Sequence, residues 1–167
     1  MQKTLLRLFR YKAWADDALL TALATLSPEG RVTTLAIKAL SHTYVVDRIF
    51  AAHLARSEHA YAAANLAELP GLGQLGLELR ANDQDYVRLV SGLSRAELDE
   101  PIDFTFTDGA PGRMTREEML MHVITHGTGH RGQVSALMLL NALAPAQDGF
   151  TTYLHAAEGL ERGRLAG

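Results

Sequence analysis

The sequence contains no cysteine among its 167 residues. Disulfide bonds, thiolate metal ligands and a cysteine nucleophile are therefore excluded, and any thiol chemistry would need a thiol supplied by a substrate. The chain also lacks a strong excess of either charge, since 16 basic and 19 acidic residues give a net charge of −3. Because the basic residues are scattered along the chain, we expect no nucleic acid partner.

Long hydrophobic runs are absent as well. The longest dense apolar stretch, around residues 134–140, is far shorter than the roughly 20 residues that a membrane-spanning helix needs. Four basic residues interrupt any apolar run of signal-peptide length near the N-terminus, namely Lys3, Arg7, Arg10 and Lys12. We therefore expect a cytoplasmic protein without a membrane partner.

What the chain does have is an ordinary globular composition, with 47% hydrophobic and 21% charged residues. A domain usually contains roughly 100 to 200 residues, so we predict a single domain over residues 1–167. Apolar residues recur with the helical period of 3.6 in four long segments. The predicted long helices cover 2–26, 32–60, 74–92 and about 115–141.

Shorter signals complete the predicted fold. Residues 101–106 alternate between apolar and polar before Asp108-Gly109, a pair suited to a tight turn, so we predict a small hairpin. Thr115 and Glu118 form a capping-box pattern at the start of the fourth long helix, and a short helix is predicted over 150–162. Together these elements predict an all-α fold, an antiparallel four-helix bundle with a small hairpin before the fourth long helix and a short C-terminal helix.

Histidines on two of these helices suggest a metal site. His122, His126 and His130 lie on the inward face of the fourth long helix, and neighbours four residues apart can converge on one ion. The outer two are about 12 Å apart along the axis, so one of the three must be a bystander. His42 lies in the middle of the inward face of the second helix and is the natural third ligand. His53 lies about 16 Å further along that helix and would miss the ion.

Other interpretations stay open at this point. The inward histidines could be core residues joined by hydrogen bonds to each other or to Asp16, Asn82 and Asn141, without a metal. The remaining single histidines are expected to be solvated or hydrogen-bonded side chains, namely His53, His59 and His155.

Two features of the first helix bear on these interpretations. Asp16 projects from its apolar face and would either orient a ligand imidazole or lie at a solvated rim. Tyr11 and Trp14 form a second apolar ridge, which a monomer would expose and which is therefore a candidate dimer contact.

Three segments resemble the DinB/YfiT-like family of metal-binding four-helix bundles. They are HVITHGTGHRGQV (122–134), LSHTYVVDRIFAAHL (40–54) and YKAWADDALL (11–20). The resemblance implies that His42, His126 and His130 are the metal ligands and that His122 is the bystander. It further implies one divalent ion per chain, nickel or zinc, with open coordination positions, and a homodimer. Lys12 and Asp16 depart from the asparagines that are common at these positions in the family, which puts substrate contacts in doubt.

The expected function is that of a metal-dependent thiol S-transferase or hydrolase acting on a small molecule, such as a low-molecular-weight thiol. The alternative is a noncatalytic, metal-stabilised stress-response or binding module. A di-iron carboxylate oxidase is excluded because no Glu-x-x-His pair occurs, and a zinc protease is excluded because no His-Glu-x-x-His segment occurs. No catalytic side chain is assigned from the sequence.

Overall fold

The computed structural model describes residues 2–157 and Gly159. The elements of this part of the chain are α1 (Gln2–Leu23), α2 (Arg31–Leu54), α3 (Leu72–Gly92), α4 (Arg95–Leu98), β1 (Pro101–Thr105), β2 (Pro111–Thr115), α5 (Arg116–Leu140) and α6 (Phe150–Ala157). The long helices α1, α2, α3 and α5 pack together, so the predicted helical bundle with a hairpin and a short last helix is confirmed. None of the helices in the described part combines the length and apolar character needed to span a bilayer.

Contacts between the long helices define their directions. Helices α1 and α3 are antiparallel, because Phe9 stacks on Tyr86 whereas Asp17 pairs with Arg80. Helices α2 and α5 are also antiparallel. Arg116 at the start of α5 donates to the carbonyl of Leu54 at the end of α2, whereas His42, earlier in α2, contacts His130, later in α5. Helix α1 runs in the same direction as α5, so α2 and α3 are parallel. The 17 residues 55–71 connect these two parallel helices.

The hairpin and the start of α5 follow the predicted local signals. Strands β1 and β2 pair in antiparallel register, with Ile102 opposite Met114, and Gly109 in the turn adopts a φ of 88°. The Thr115 hydroxyl accepts a hydrogen bond from the Glu118 N–H, and the Glu118 carboxylate accepts one from the Thr115 N–H. The capping box therefore fixes the first turn of the helix that carries most of the candidate site.

The long helices end differently from the predictions. Helix α2 ends at Leu54, six residues before the predicted end, because Arg56 adopts a left-handed φ of 54°. The Arg56 and Ser57 N–H groups donate to the carbonyls of His53 and Ala52, which closes the helix as a Schellman motif. Helix α1 also ends early, at Leu23, whereas the predicted end of α6 beyond residue 157 falls mostly outside the described residues.

Helix α6 covers the apolar ridge of α1. Tyr11 and Trp14 contact Tyr153 with ring centroids 6.0 and 5.9 Å apart, and Phe150 packs edge-on against Tyr11. Tyr11 is consequently only 6% exposed. The prediction that a monomer exposes this ridge is wrong for Tyr11, whereas Trp14 remains partly exposed. Because α6 covers much of the ridge, it is a weaker candidate for a dimer contact than the sequence indicates.

The interior of the bundle consists of two apolar clusters with a charged layer between them. The first cluster includes Leu5, Phe9, Phe50, Tyr86 and Val123. The second includes Leu20, Ile37, Leu40, Leu79 and Val134. The residues that separate them are Lys12, Asp16, Asp47, Asp83 and Arg131, and all five are at most 3% exposed. We call this set the polar layer.

Lys12 is the centre of the polar layer. Its Nζ atom lies 2.9 Å from Asp16, 3.0 Å from Asp47 and 2.5 Å from Asp83, which belong to α1, α2 and α3. Arg131 brings in α5, because its guanidinium pairs with Asp16 at 3.1 Å. One connected set of ion pairs thus joins all four long helices at the same height.

Arg131 also binds the segment that follows α5. Its Nε donates to Asp148 at 2.9 Å, and the Tyr11 hydroxyl donates to the same carboxylate. Arg131 is 1% exposed, so its guanidinium serves ion pairs inside the fold.

Burial and the neighbouring charges shift the pKa values of these groups in different directions. Burial alone would lower the pKa of Lys12, but three surrounding carboxylates hold it well above its usual value. Burial tends to raise the pKa of Asp16, and Lys12 and Arg131 outweigh it, so this pKa is lowered. For Asp47 and Asp83 burial prevails and raises the pKa to about 6 and about 7.

Replacing the central cation is expected to destabilise the fold strongly. In Lys12→Met three buried carboxyl groups lose their shared counter-ion, and removing one partner of a buried ion pair costs about 3 to 5 kcal/mol. Urea unfolding at pH 7 should show this loss, with Lys3→Met as the matched control because Lys3 is exposed. Equal unfolding free energies for the two variants would contradict a supporting role for the polar layer.

The pKa of Asp83 predicts a pH-dependent stability difference. Because the pKa is about 7 in the folded chain and about 3.9 in an unfolded one, the folded state binds the proton more tightly, and this contribution to stability is lost as the pH rises from about 4 to about 7. Asp83→Asn lacks this titration. The unfolding free energy of Asp83→Asn minus that of wild type should therefore increase as the pH rises from about 4 to about 7.

Comparing the two proteins at each pH is essential, because histidines with lowered pKa values titrate in the same range with the opposite sign. Urea unfolding at several pH values would measure the difference. A difference that stays constant from pH 4 to pH 7 would show that the Asp83 carboxyl group does not take up its proton in this range.

Candidate metal centre

Two helices bring three imidazole rings together at the height of the polar layer. His126 and His130 are one turn apart on α5, and His42 approaches from the antiparallel helix α2. The Nε2 atom of His126 lies 3.2 Å from Nε2 of His42 and 3.1 Å from Nε2 of His130. All three residues are partly exposed. The three residues predicted as ligands therefore meet at one point near the surface of the bundle.

Hydrogen bonding alone does not account for this convergence. A ring nitrogen carries either one hydrogen or one in-plane lone pair, so Nε2 of His126 can form one good hydrogen bond but faces two nitrogens. Nitrogens bound about 2.0 to 2.1 Å from one ion at angles of about 90° to 110° lie about 3.0 to 3.4 Å apart. The observed separations fit this spacing. The cluster of His42, His126 and His130 could hold a metal ion.

The crossover segment between α2 and α3 orients His42. Its Nδ1 atom lies 2.8 Å from the carbonyl oxygen of Ala64 and donates to it, so in the neutral ring Nε2 carries the lone pair. A backbone carbonyl has no signature in the side-chain sequence, so the sequence analysis missed Ala64.

The electrostatic environment of α5 keeps two rings of the cluster neutral. Burial in the first place, and then the neighbouring His130 and His42, lower the pKa of His126 to about 4. The pKa of His130 is lowered as well, first by burial and then by His42, although Gln133 acts against this. Neutral imidazoles have the free lone pairs that metal binding requires.

His122 lies beside the cluster but outside it. Its ring stacks on Phe50 with centroids 4.5 Å apart and on His126 at 5.4 Å. The group of nitrogens that could share an ion does not include it. Burial lowers its pKa, so this ring also stays neutral at pH 7.

Two other expectations need correction. Asp16 orients no ligand imidazole and lies at no solvated rim, because its two oxygens bind Lys12 and Arg131 in the core. His53 is mostly buried, at 9% exposed, and its Nε2 atom has no hydrogen-bond partner among the described residues. The sequence gives no sign of this, because the contacts of His53 come from distant segments.

Alanine substitutions should separate ligands from neighbours. We expect His42→Ala, His126→Ala and His130→Ala each to weaken zinc or nickel binding at this site by at least about 100-fold, since each removes one of three donors. His122→Ala is the matched control and should bind nearly as well as wild type. Chelator competition with untagged protein would measure this, and equal losses for His122→Ala and His126→Ala would contradict the assignment.

Comparisons with known proteins agree with this arrangement. The model of the DinB family matches residues 1–163. Protein DinB of Bacillus subtilis (strain 168) is 24% identical over 163 aligned residues, a match that covers 89% of the chain and 92% of that protein. No solved structure gives a significant match. Because the family match covers nearly the whole sequence, the chain belongs to the DinB family.

Proposed function

We propose that the chain binds one divalent ion, nickel or zinc, through His42, His126 and His130, and that it is a metal-dependent thiol S-transferase or hydrolase acting on a small molecule. The observation that supports this proposal is the convergence of three imidazole nitrogens within 4.8 Å of one another at a partly exposed position. Imidazole is a good ligand for both metals, so the donor set fits either.

The number and exposure of the ligands favour catalysis over a purely structural ion. Structural zinc sites usually have four protein ligands, whereas catalytic sites have three and keep a position open. A bound divalent ion would supply a Lewis acid that lowers the pKa of a thiol or water reaching that position. The chain itself supplies three imidazole donors and a carbonyl at Ala64 that orients one of them.

The proposed nucleophile comes from the substrate. The sequence has no cysteine, so a low-molecular-weight thiol is the source of sulfur in the transferase version, and water is the nucleophile in the hydrolase version. We also propose that the protein forms a homodimer, through a surface other than the ridge that α6 covers.

Turnover with small thiols tests the proposal. Untagged protein loaded with zinc or nickel should join bacillithiol, mycothiol or glutathione to an electrophile such as monochlorobimane, and His126→Ala should lose at least about 100-fold in rate because the Lewis acid is lost. His122→Ala serves as the control with an intact cluster.

The same samples test the hydrolase version with activated esters, with water as nucleophile. Metal binding without turnover above the His126→Ala background in any of these assays would contradict the enzymatic proposal. That result would favour the noncatalytic, metal-stabilised module.

A further inference from the structure

His53 and His59 form a separate pair of histidines at the C-terminal end of α2. The rings of His53 and His59 contact each other with centroids 5.3 Å apart and an interplanar angle of 73°. His53 is eleven residues from His42, which is about 16 Å along the helix axis. The pair is therefore separate from the cluster proposed above.

Both rings carry a buried nitrogen without a partner. Nε2 of His53 and Nδ1 of His59 have no hydrogen bond to any described residue, although His53 is only 9% exposed. Leaving a buried polar atom unpaired costs about 1 to 3 kcal/mol, and native proteins rarely leave two such atoms in neighbouring residues unexplained. A single ligand that accepts both lone pairs would remove both costs.

The separation and tilt of the two rings are close to those of the rings in the three-histidine cluster. Ring centroids in that cluster are 4.5 to 5.1 Å apart, with interplanar angles of 59° to 67°. The corresponding values for His53 and His59 are slightly larger. Burial and the proximity of His59 lower the pKa of His53, so its ring is neutral at pH 7 and has a lone pair to donate.

The surroundings leave room for further ligands. A cleft of about 550 Å³ is lined by His53, and a second one of about 440 Å³ is lined by His59. Ser57 and Glu58 border both clefts, and the Glu58 carboxylate has no ion-pair partner among the described residues. The two clefts thus border the pair of rings from two sides, while the unpaired nitrogens themselves lie below the surface.

We propose that His53 and His59 form a second metal site, which binds a divalent transition metal ion such as zinc through two imidazole nitrogens and completes its coordination with water. Two donors bind more weakly than three, so this site fills after the three-histidine cluster. Magnesium prefers oxygen ligands and does not compete for it.

Metal stoichiometry tests this proposal. Equilibrium dialysis of the untagged chain against zinc, with excess magnesium present, should show two bound ions, one tight and one weaker. His53→Phe and His59→Phe keep a flat ring in place and should weaken the second event at least tenfold while leaving the first unchanged. His155→Phe is the matched control, since His155 is exposed on α6, and it should bind two ions.

The two proposals fail independently. In His126→Ala the tight event should disappear and the weaker one remain, so loss of the tight event alone concerns only the three-histidine cluster. The second site is overturned if wild type binds a single ion, or if the weaker event persists unchanged in both His53→Phe and His59→Phe. Circular dichroism and urea unfolding of each variant confirm that the measured chains are folded.

Discussion

The buried ammonium group of Lys12 is the constraint on which the arrangement of the bundle depends. Hydrophobic contacts have no preferred direction, whereas a buried charge must be paired with a specific partner. Lys12 forms ion pairs with carboxylates of α1, α2 and α3. One of these, the carboxylate of Asp16, also pairs with Arg131 on α5. A shift of any long helix by one turn would break a buried ion pair, so the polar layer sets the register of all four.

That register is what brings the imidazoles together. His42 is five residues before Asp47 on α2, and His130 is next to Arg131 on α5, so the residues that anchor each helix lie close to its candidate ligands. The apolar clusters above and below the layer supply the hydrophobic burial without fixing this height. The departures from the family pattern at Lys12 and Asp16 therefore concern the core, since both residues are buried and bind each other.

Local signals made much of the fold and of the candidate site predictable. The capping box at Thr115, the turn at Gly109 and the four-residue spacing of His126 and His130 each act within a few residues, and each is observed. Features without a signal in the side-chain pattern were not predictable. Arg56 ends α2 in a conformation usually taken by glycine, and the carbonyl of Ala64 reaches His42 from 22 residues away.

The polar layer also carries more carboxyl groups than cations. Together with Asp148 the layer offers four carboxyl groups to the two cations Lys12 and Arg131. Because burial raises the pKa of Asp47 to about 6 and that of Asp83 to about 7, protons offset part of this excess near neutral pH. The charge of Lys12 is also one of those that lower the pKa of His126. Lys12 therefore links the charge balance of the core to the three-histidine cluster, although no carboxylate belongs to the cluster itself.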